Sequence, residues 1–196
     1  MGDWTPGSTS ELVLAAAGGD QSAFEELVSR YTGLVWSVVR AHRMRQADAA
    51  DVVQTVWLRL VEHLDRLREP EHLGGWLGAT ARHEALRVLK RSDREQPDDE
   101  IDTRRAAQVA DPRDSPEAAL LSSERGRELV EAFHRLPERC RVLLATLASD
   151  PAPSYAEVSR VLDMPIGSIG PTRGRCLARL RDLLAGAAGA PATATS

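Results

Sequence analysis

The chain has 196 residues, with 25 Lys and Arg against 29 Asp and Glu for a net charge of −4, and 42% of it is hydrophobic. Abundant Ala, Leu, Arg and Glu with few β-branched runs predict an all-α protein of one or two domains with little or no sheet. The absence of any run of about 18 apolar residues, and an N-terminal MGDWTPGSTSE with neither basic leader nor apolar core, argue against membrane insertion and for a cytoplasmic chain.

Charge is spread unevenly: 12 cationic against 13 acidic residues over 1–94, 3 against 9 over 95–124, and 10 against 7 over 125–185. Acid collects in a connecting segment. Local basic faces, not the total, govern contact with phosphate.

In chain order, residues 1–10 are polar and rich in Gly, Ser, Thr and Pro, the composition of a disordered arm, and a short helix is expected over Glu11–Ala17. Asp20 and Ser22 are candidate caps for the next helix, Glu25 completing a capping box from Ser22. Phe24, Leu27, Val28, Tyr31, Val35, Val38 and Val39 form its apolar stripe. A helix over Asp48–Leu64 turns Val52, Val53, Val56, Leu60 and Leu64 inward and leaves Asp51, Gln54, Thr55, Leu58 and Glu62 outside. RLREPEHLGG, residues 66–75, reads as a loop broken by Pro70 and paired glycines. A third helix over Trp76–Arg91 carries Leu77, Ala81, Ala85, Val88 and Leu89 inward, with Arg82, His83, Arg87, Lys90, Arg91 and Arg94 making its far half basic. Trp57 and Trp76 are assigned to packing.

Residues 92–115 lose periodicity and hold Glu95, Asp98, Asp99, Glu100 and Asp102, which describes a solvated linker. Ser115-Pro116 opens a helix whose later face is Leu129, Val130, Phe133 and Leu136, and Pro137 starts another. After Asp150-Pro151-Ala152-Pro153 comes SYAEVSRVLDMPIGSIGPTRGRCLARLRDLL, residues 154–184, and then a small-residue tail.

That penultimate stretch reads as a helix-turn-helix. Ser154 and Glu157 form a capping box, and Val158, Val161 and Leu162 give the first helix one apolar face. Pro165 and Gly167 break it, Gly167 being able to take positive φ, and Ser168 caps the second helix. Ile169, Arg173, Cys176, Leu177, Leu180 and Leu184 follow a helical period, leaving Arg175, Arg179 and Arg181 to reach outward. Such a helix packs by one side and offers cations to phosphate or guanine by the other. A solvated basic helix in an ordinary bundle is the competing interpretation.

Cys140 and Cys176 stand alone on predicted helices with no metal-ligand spacing, and are read as small buried hydrophobes rather than a metal site or disulfide. Scattered histidines, and the lack of a nucleophile tied to a base or a phosphate-cradling glycine loop, predict no catalytic residues, no metal and no cofactor.

The layout as a whole resembles the bacterial extracytoplasmic-function sigma factors, two-domain promoter-recognition subunits of RNA polymerase. The resemblance is carried by GDQSAFEELVSRY, DVVQTVWLRLVEHL, WLGATARHEALRVLKR and LPERCRVLLATL, followed by the helix-turn-helix, in that order around the linker. It implies a flexible N-terminal segment with a short helix over 1–19, a polymerase-binding and −10-reading domain over 20–94, an acidic linker over 95–115, a −35-reading helix-turn-helix domain over 116–185, and a disordered tail over 186–196. By this resemblance Asp51, Gln54, Thr55, Leu58 and Glu62 match the face that grips the β′ clamp helices, and the second domain would sit on the β flap.

For the melted −10 strand the resemblance points to Arg68, Pro70, His72, Arg82, His83, Arg87, Lys90 and Arg91. His83 stands where the family often carries Asn. For the −35 duplex it points to Arg139, Arg141, Ser154, Ser168, Gly170, Pro171, Thr172, Arg173, Arg175 and Arg179. Here Gly170, Pro171 and Thr172 depart from the family's usual basic and hydroxyl residues, and Pro171 is expected to be tolerated as part of the first helical turn. Arg173, close to the inner face, is a candidate partner for Glu157 or Asp163. The expected function is a monomeric, non-enzymatic initiation factor that joins core RNA polymerase and promoter DNA and is restrained by an anti-sigma protein. The alternative is a stand-alone helix-turn-helix regulator, which would dimerise and bind duplex without polymerase.

Overall fold

The computed structural model describes residues 7–95, 123–150 and 152–188, and every regular element among them is helical. The α-helices are α1 (Thr9–Ala17), α2 (Gln21–Arg40), α3 (Gln46–His63), α4 (Leu73–Glu95), α5 (Glu124–His134), α6 (Glu138–Leu147), α7 (Tyr155–Leu162) and α8 (Ile166–Ala188). Two 3-10 turns, Leu64–Arg66 and Pro70–His72, connect α3 to α4. No helix among the described residues is long and apolar enough to cross a membrane.

Capping fixes most of the starts. At α1 the Glu11 N–H donates to Ser8 Oγ at 3.2 Å and the Ser8 N–H to Glu11 Oε2 at 2.8 Å, so two otherwise unpaired donors are satisfied together. This helix starts two residues earlier than its apolar pattern indicates. α2 is capped by Asp20, whose Oδ1 accepts from the Ala23 N–H at 3.1 Å; Ser22 therefore lies inside the helix and does not form the expected box with Glu25. Ser123 caps α5 by accepting from the Gly126 N–H at 3.0 Å. The helix opening expected at Ser115-Pro116, the linker after Glu95 and the last eight residues all lie outside the described residues.

The buried stripes agree with the periodicity. Leu27, Tyr31, Val35, Val38 and Val39 of α2, Val52, Val53, Val56 and Leu60 of α3, and Leu77, Ala81 and Ala85 of α4 are all buried. Each large apolar side chain fully buried in this way contributes about 1.5–3 kcal/mol relative to exposure. Trp57 and Trp76 are half-buried and pack against this core. The core does not stop at the expected domain boundary: it continues through Val142 and Leu143 of α6 and Val158, Val161 and Leu162 of α7 to Ile169 and Cys176 of α8.

α7 lies along the first turns of α4, and this contact corrects the loop expected over residues 66–75. α4 begins at Leu73, directly after the Pro70–His72 turn, so Gly74 and Gly75 are helical and buried. Glycine in a helix costs about 1 kcal/mol relative to Ala. The tight fit of α7 against these residues accounts for their presence.

The helix-turn-helix has the expected capping box, with Glu157 N–H to Ser154 Oγ at 3.3 Å and Ser154 N–H to Glu157 Oε2 at 2.8 Å. Its turn differs from expectation. Asp163, not Gly167, takes the left-handed conformation (φ 50°, ψ 56°), one that Asp tolerates better than most residues. α8 begins at Ile166, so Ser168 does not cap it; the Ser168 hydroxyl donates to Pro165 O at 2.7 Å. Pro171 consequently sits inside the helix, beyond the first turn, where its missing N–H removes an intrahelical bond.

Cys140 of α6 and Cys176 of α8 are joined by a disulfide, with Cα atoms 5.4 Å apart across a sequence separation of 36. The expectation of two independent thiols is thereby corrected. The pairing follows from the packing of α6 on α8, which sequence spacing does not reveal.

Candidate nucleic-acid interface

The outer strip of α8 is open. Gly170, Pro171, Arg173, Gly174, Arg175 and Arg179 are exposed, and Ser168 and Thr172 half-buried beside them. A β-carbon added at Gly167, Gly170 or Gly174 would meet nothing within 4 Å, so the backbone itself is approachable along this side. Arg175 Nη2 donates to Thr172 Oγ1 at 3.2 Å, which holds the guanidinium over the exposed turn. Arg173 points to solvent and pairs with neither Glu157 nor Asp163. The other side of α8 is anchored by fully buried Ile169 and Cys176, so the strip is presented on a fixed support.

Not every expected duplex contact is on offer. Arg139 is exposed, but Arg141 is 8% exposed and points into the protein. Its Nε donates to Ala41 O at 2.8 Å and its Nη1 to Leu136 O, so the guanidinium ties α6 to the end of α2. In this arrangement Arg141 is withheld from phosphate. Ser154 is exposed, and its hydroxyl takes part in the α7 capping box.

A second basic stripe runs along α4. His83, Arg87, Lys90 and Arg91 are exposed at helical spacing, and Arg82 is half-buried. Arg87 Nη1 lies 3.2 Å from Glu84 Oε2, and Glu84 also pairs with Arg59 at 2.9 Å, which neutralises part of this stripe. Upstream, Arg68 is exposed and Pro70 half-buried, while His72 Nδ1 sits 3.5 Å from Glu69 Oε2 and 3.8 Å from Glu71 Oε1. The carboxylates around His72 disfavour phosphate there.

The outward face of α3 combines polar and apolar groups. Asp51, Gln54 and Glu62 are exposed, and Thr55 donates to Asp51 O at 2.8 Å. Leu58 is 57% and Val61 56% exposed, and with Phe24, Trp36, Ala50 and Trp57 they border an apolar groove between α2 and α3. Sequence reasoning missed Val61, Trp36 and Phe24 as rim residues. The available signal was the Leu58 and Val61 pair, three apart on the face opposite the core stripe.

The two halves meet through polar contacts at the edge of the shared core. Buried His42 places Nδ1 3.2 Å from Glu138 Oε1, and Arg160 Nη2 pairs with Glu69 Oε2. Burial lowers the His42 pKa below its ordinary value, and the charges of Arg82 and Arg141 push the same way against Glu138. Among the described residues no group of three or more His, Cys, Asp or Glu is arranged to hold a metal ion.

A helical platform bearing a helix-turn-helix with an open, cation-rich second helix has the form found in duplex-binding proteins. Residues 27–95 match the family model described as Sigma-70 region 2. The chain is 29% identical over 164 residues to the ECF RNA polymerase sigma-E factor of Haemophilus influenzae, covering 81% of this chain and 85% of the relative. It is equally 29% identical over 163 residues to that of Escherichia coli K12, covering 81% and 84%. In fold it is similar to CnrH as solved in complex with the cytosolic domain of CnrY, with a TM-score of 0.63 at 20% identity over 92% of this chain and 99% of that one. The chain is thus similar to extracytoplasmic-function sigma factors over most of its length, with the Sigma-70 region 2 match at residues 27–95.

Proposed function

We propose that this protein binds core RNA polymerase and directs it to promoters by reading a −35 element as duplex and a −10 element as melted strand. The observation that carries the reading is the open strip of α8, where Gly170, Arg173, Gly174, Arg175 and Arg179 are exposed on a helix anchored from behind by Ile169 and Cys176. Arg175 is the base reader of this strip, Ser168, Thr172 and Arg179 are phosphate or base-edge contacts, and Arg139 holds backbone. On the other half, Arg68, Pro70 and His72 border the site for an unstacked base, and His83, Arg87, Lys90 and Arg91 track the strand. Asp51, Gln54, Thr55, Leu58 and Glu62 form the clamp-binding face on α3.

In this reading residues 20–94 and 116–185 are the two reading domains, the free protein is a cytoplasmic monomer, and a protein partner silences it by covering its polymerase-binding surface. CnrH, which shares the fold, was solved in complex with the cytosolic domain of CnrY, which favours a protein partner here. Run-off transcription with purified core polymerase on fragmented genomic DNA tests the function. Discrete new starts sharing two upstream motifs are expected. Tight duplex binding by the protein alone, with no new starts, would identify a stand-alone regulator instead.

A further inference from the structure

One acid stands in the basic stripe of α4. Between Trp76 and Arg91 the sequence carries Arg82, Arg87, Lys90 and Arg91 with a single carboxylate, Glu84, among them. A carboxylate works against a phosphate-tracking surface, because it repels phosphate and cancels the charge of the nearest cation. Glu84 is nonetheless built in. Its side chain is 13% exposed, and both of its oxygens accept from Arg87, whose Nη1 lies 3.2 Å from Oε2 and 3.3 Å from Oε1.

The second partner of this carboxylate comes from another helix. Arg59 of α3 places Nη2 2.9 Å from Glu84 Oε1. Arg59 Nε is buried without a hydrogen-bond partner, a costly setting for a polar atom that a guanidinium free in solvent would avoid. The attraction of Glu84 holds it there. Arg59 belongs to neither of the proposed contact sets, although it follows Leu58 and shares a helical row with Thr55 and Glu62. It therefore joins the polymerase side of α3 to the strand side of α4.

Two arginines and one carboxylate sum to a single positive charge. Arg87 is the member most open to solvent, its side chain 62% exposed against 37% for Arg59. While Arg59 offsets Glu84, the charge of Arg87 is left over for phosphate. Without Arg59, Glu84 and Arg87 cancel each other. In return the carboxylate orders Arg87: contact with both oxygens restrains the guanidinium, so less side-chain freedom is lost when a strand binds.

We infer that Arg59 is a positioning residue for the melted strand: by neutralising Glu84 from α3, it lets that carboxylate hold the Arg87 guanidinium in place without cancelling its charge toward phosphate. The inference rests on the proposed reading of the α4 stripe as the strand-tracking surface. Arg59 itself touches neither DNA nor polymerase in this scheme, and acts through Glu84.

The test is made on holoenzyme reconstituted from core polymerase and the full-length protein. Its affinity for a promoter fragment recovered by run-off transcription, pre-opened over the −10 element, is measured across a salt series. Arg59→Ala is expected to weaken binding about fivefold and to shrink the slope of log affinity against log salt by about 0.7, the share of one cation on a single strand. Adding Glu84→Gln removes the charge that needed offsetting and returns the cluster to one positive charge. This double variant is expected to regain wild-type affinity to within about twofold, and the slope with it. Arg59→Lys, which keeps the charge, is expected to match wild type. Arg87→Ala is expected to show the loss of Arg59→Ala, and combining the two to add nothing further.

The same variants are titrated against core polymerase without DNA and unfolded in urea, and both measurements are expected to stay close to wild type. A double variant that binds DNA as weakly as Arg59→Ala overturns the inference, as does an Arg59→Lys variant equally weak. Reduced assembly with core polymerase that Glu84→Gln does not relieve overturns it as well, and would place Arg59 in the polymerase contact. Wild-type holoenzyme that yields no discrete starts instead removes the proposed function, and the inference with it.

Discussion

Val161 sits against Gly78 with no room for a β-carbon between them: one built at residue 78 falls 2.5 Å from Val161 Cγ2. Gly78→Ala gains about 1 kcal/mol of helix propensity. The branched Val161 side chain has few rotamers into which to withdraw, and overpacking typically costs about 1–3 kcal/mol. The expected outcome is a net loss of about 1 kcal/mol in urea unfolding. In a Val161→Ala background the same substitution is expected to be neutral or stabilising, and the four-protein cycle isolates the coupling.

Arg139 and Arg141 are two residues apart and predict opposite behaviour. Arg141→Ala strips Ala41 O and Leu136 O of a buried donor. Each acceptor left unpaired costs about 1–3 kcal/mol, so thermal stability falls. Arg139→Ala leaves the melting temperature unchanged and flattens the salt dependence of promoter binding, since an exposed cation acts through counterion release. Differential scanning calorimetry and binding at two salt concentrations separate the pair.

His42 makes the stability pH-dependent. Its imidazole is held neutral in the folded protein, chiefly by burial, with Arg82 and Arg141 opposing its charge and Glu138 favouring it. In the unfolded chain it titrates near its ordinary value of 6.5. Below that pH the unfolded state binds more protons, so the stability contribution is complete above it and declines on acidification toward the lowered folded value. Urea midpoints are expected to fall between about pH 7.5 and pH 5.5 in wild type, and to fall less in His42→Gln.

Leu58 and Val61 are more than half exposed, so replacing either with Glu is expected to change stability by less than about 0.5 kcal/mol. Each forms part of the lip of the apolar groove that includes Trp36 and Trp57. Titration against core polymerase is expected to show affinity reduced about tenfold or more, from loss of apolar burial together with a buried charge. Unchanged affinity would move the polymerase contact off this face of α3.

Much of the helical framework is legible in the sequence because each amphipathic stripe reports its own buried face. The stripes of α2 and α3 and the Ser154–Glu157 box require only residues close in the chain. Pattern reasoning failed where distant packing reassigns a residue's role. Gly74 and Gly75 look like loop punctuation until α7 lies on them. Arg141 looks like a surface cation until Ala41 O accepts from it. Cys140 and Cys176 acquire each other only when α6 packs against α8. In the candidate interface, the strip of α8 is recognisable from helical phase, whereas the start at Ile166 and the interior position of Pro171 depend on Asp163 taking the left-handed turn.

The bond between Cys140 and Cys176 closes a covalent ring, and the whole of α7 lies inside it. Both ends of that helix are thereby tied, through α6 and α8, to a single crosslink. With the bond reduced, the only covalent path from Cys140 to Cys176 is the chain segment that carries α7, so reduction frees α6 and α8 from each other everywhere except through that helix.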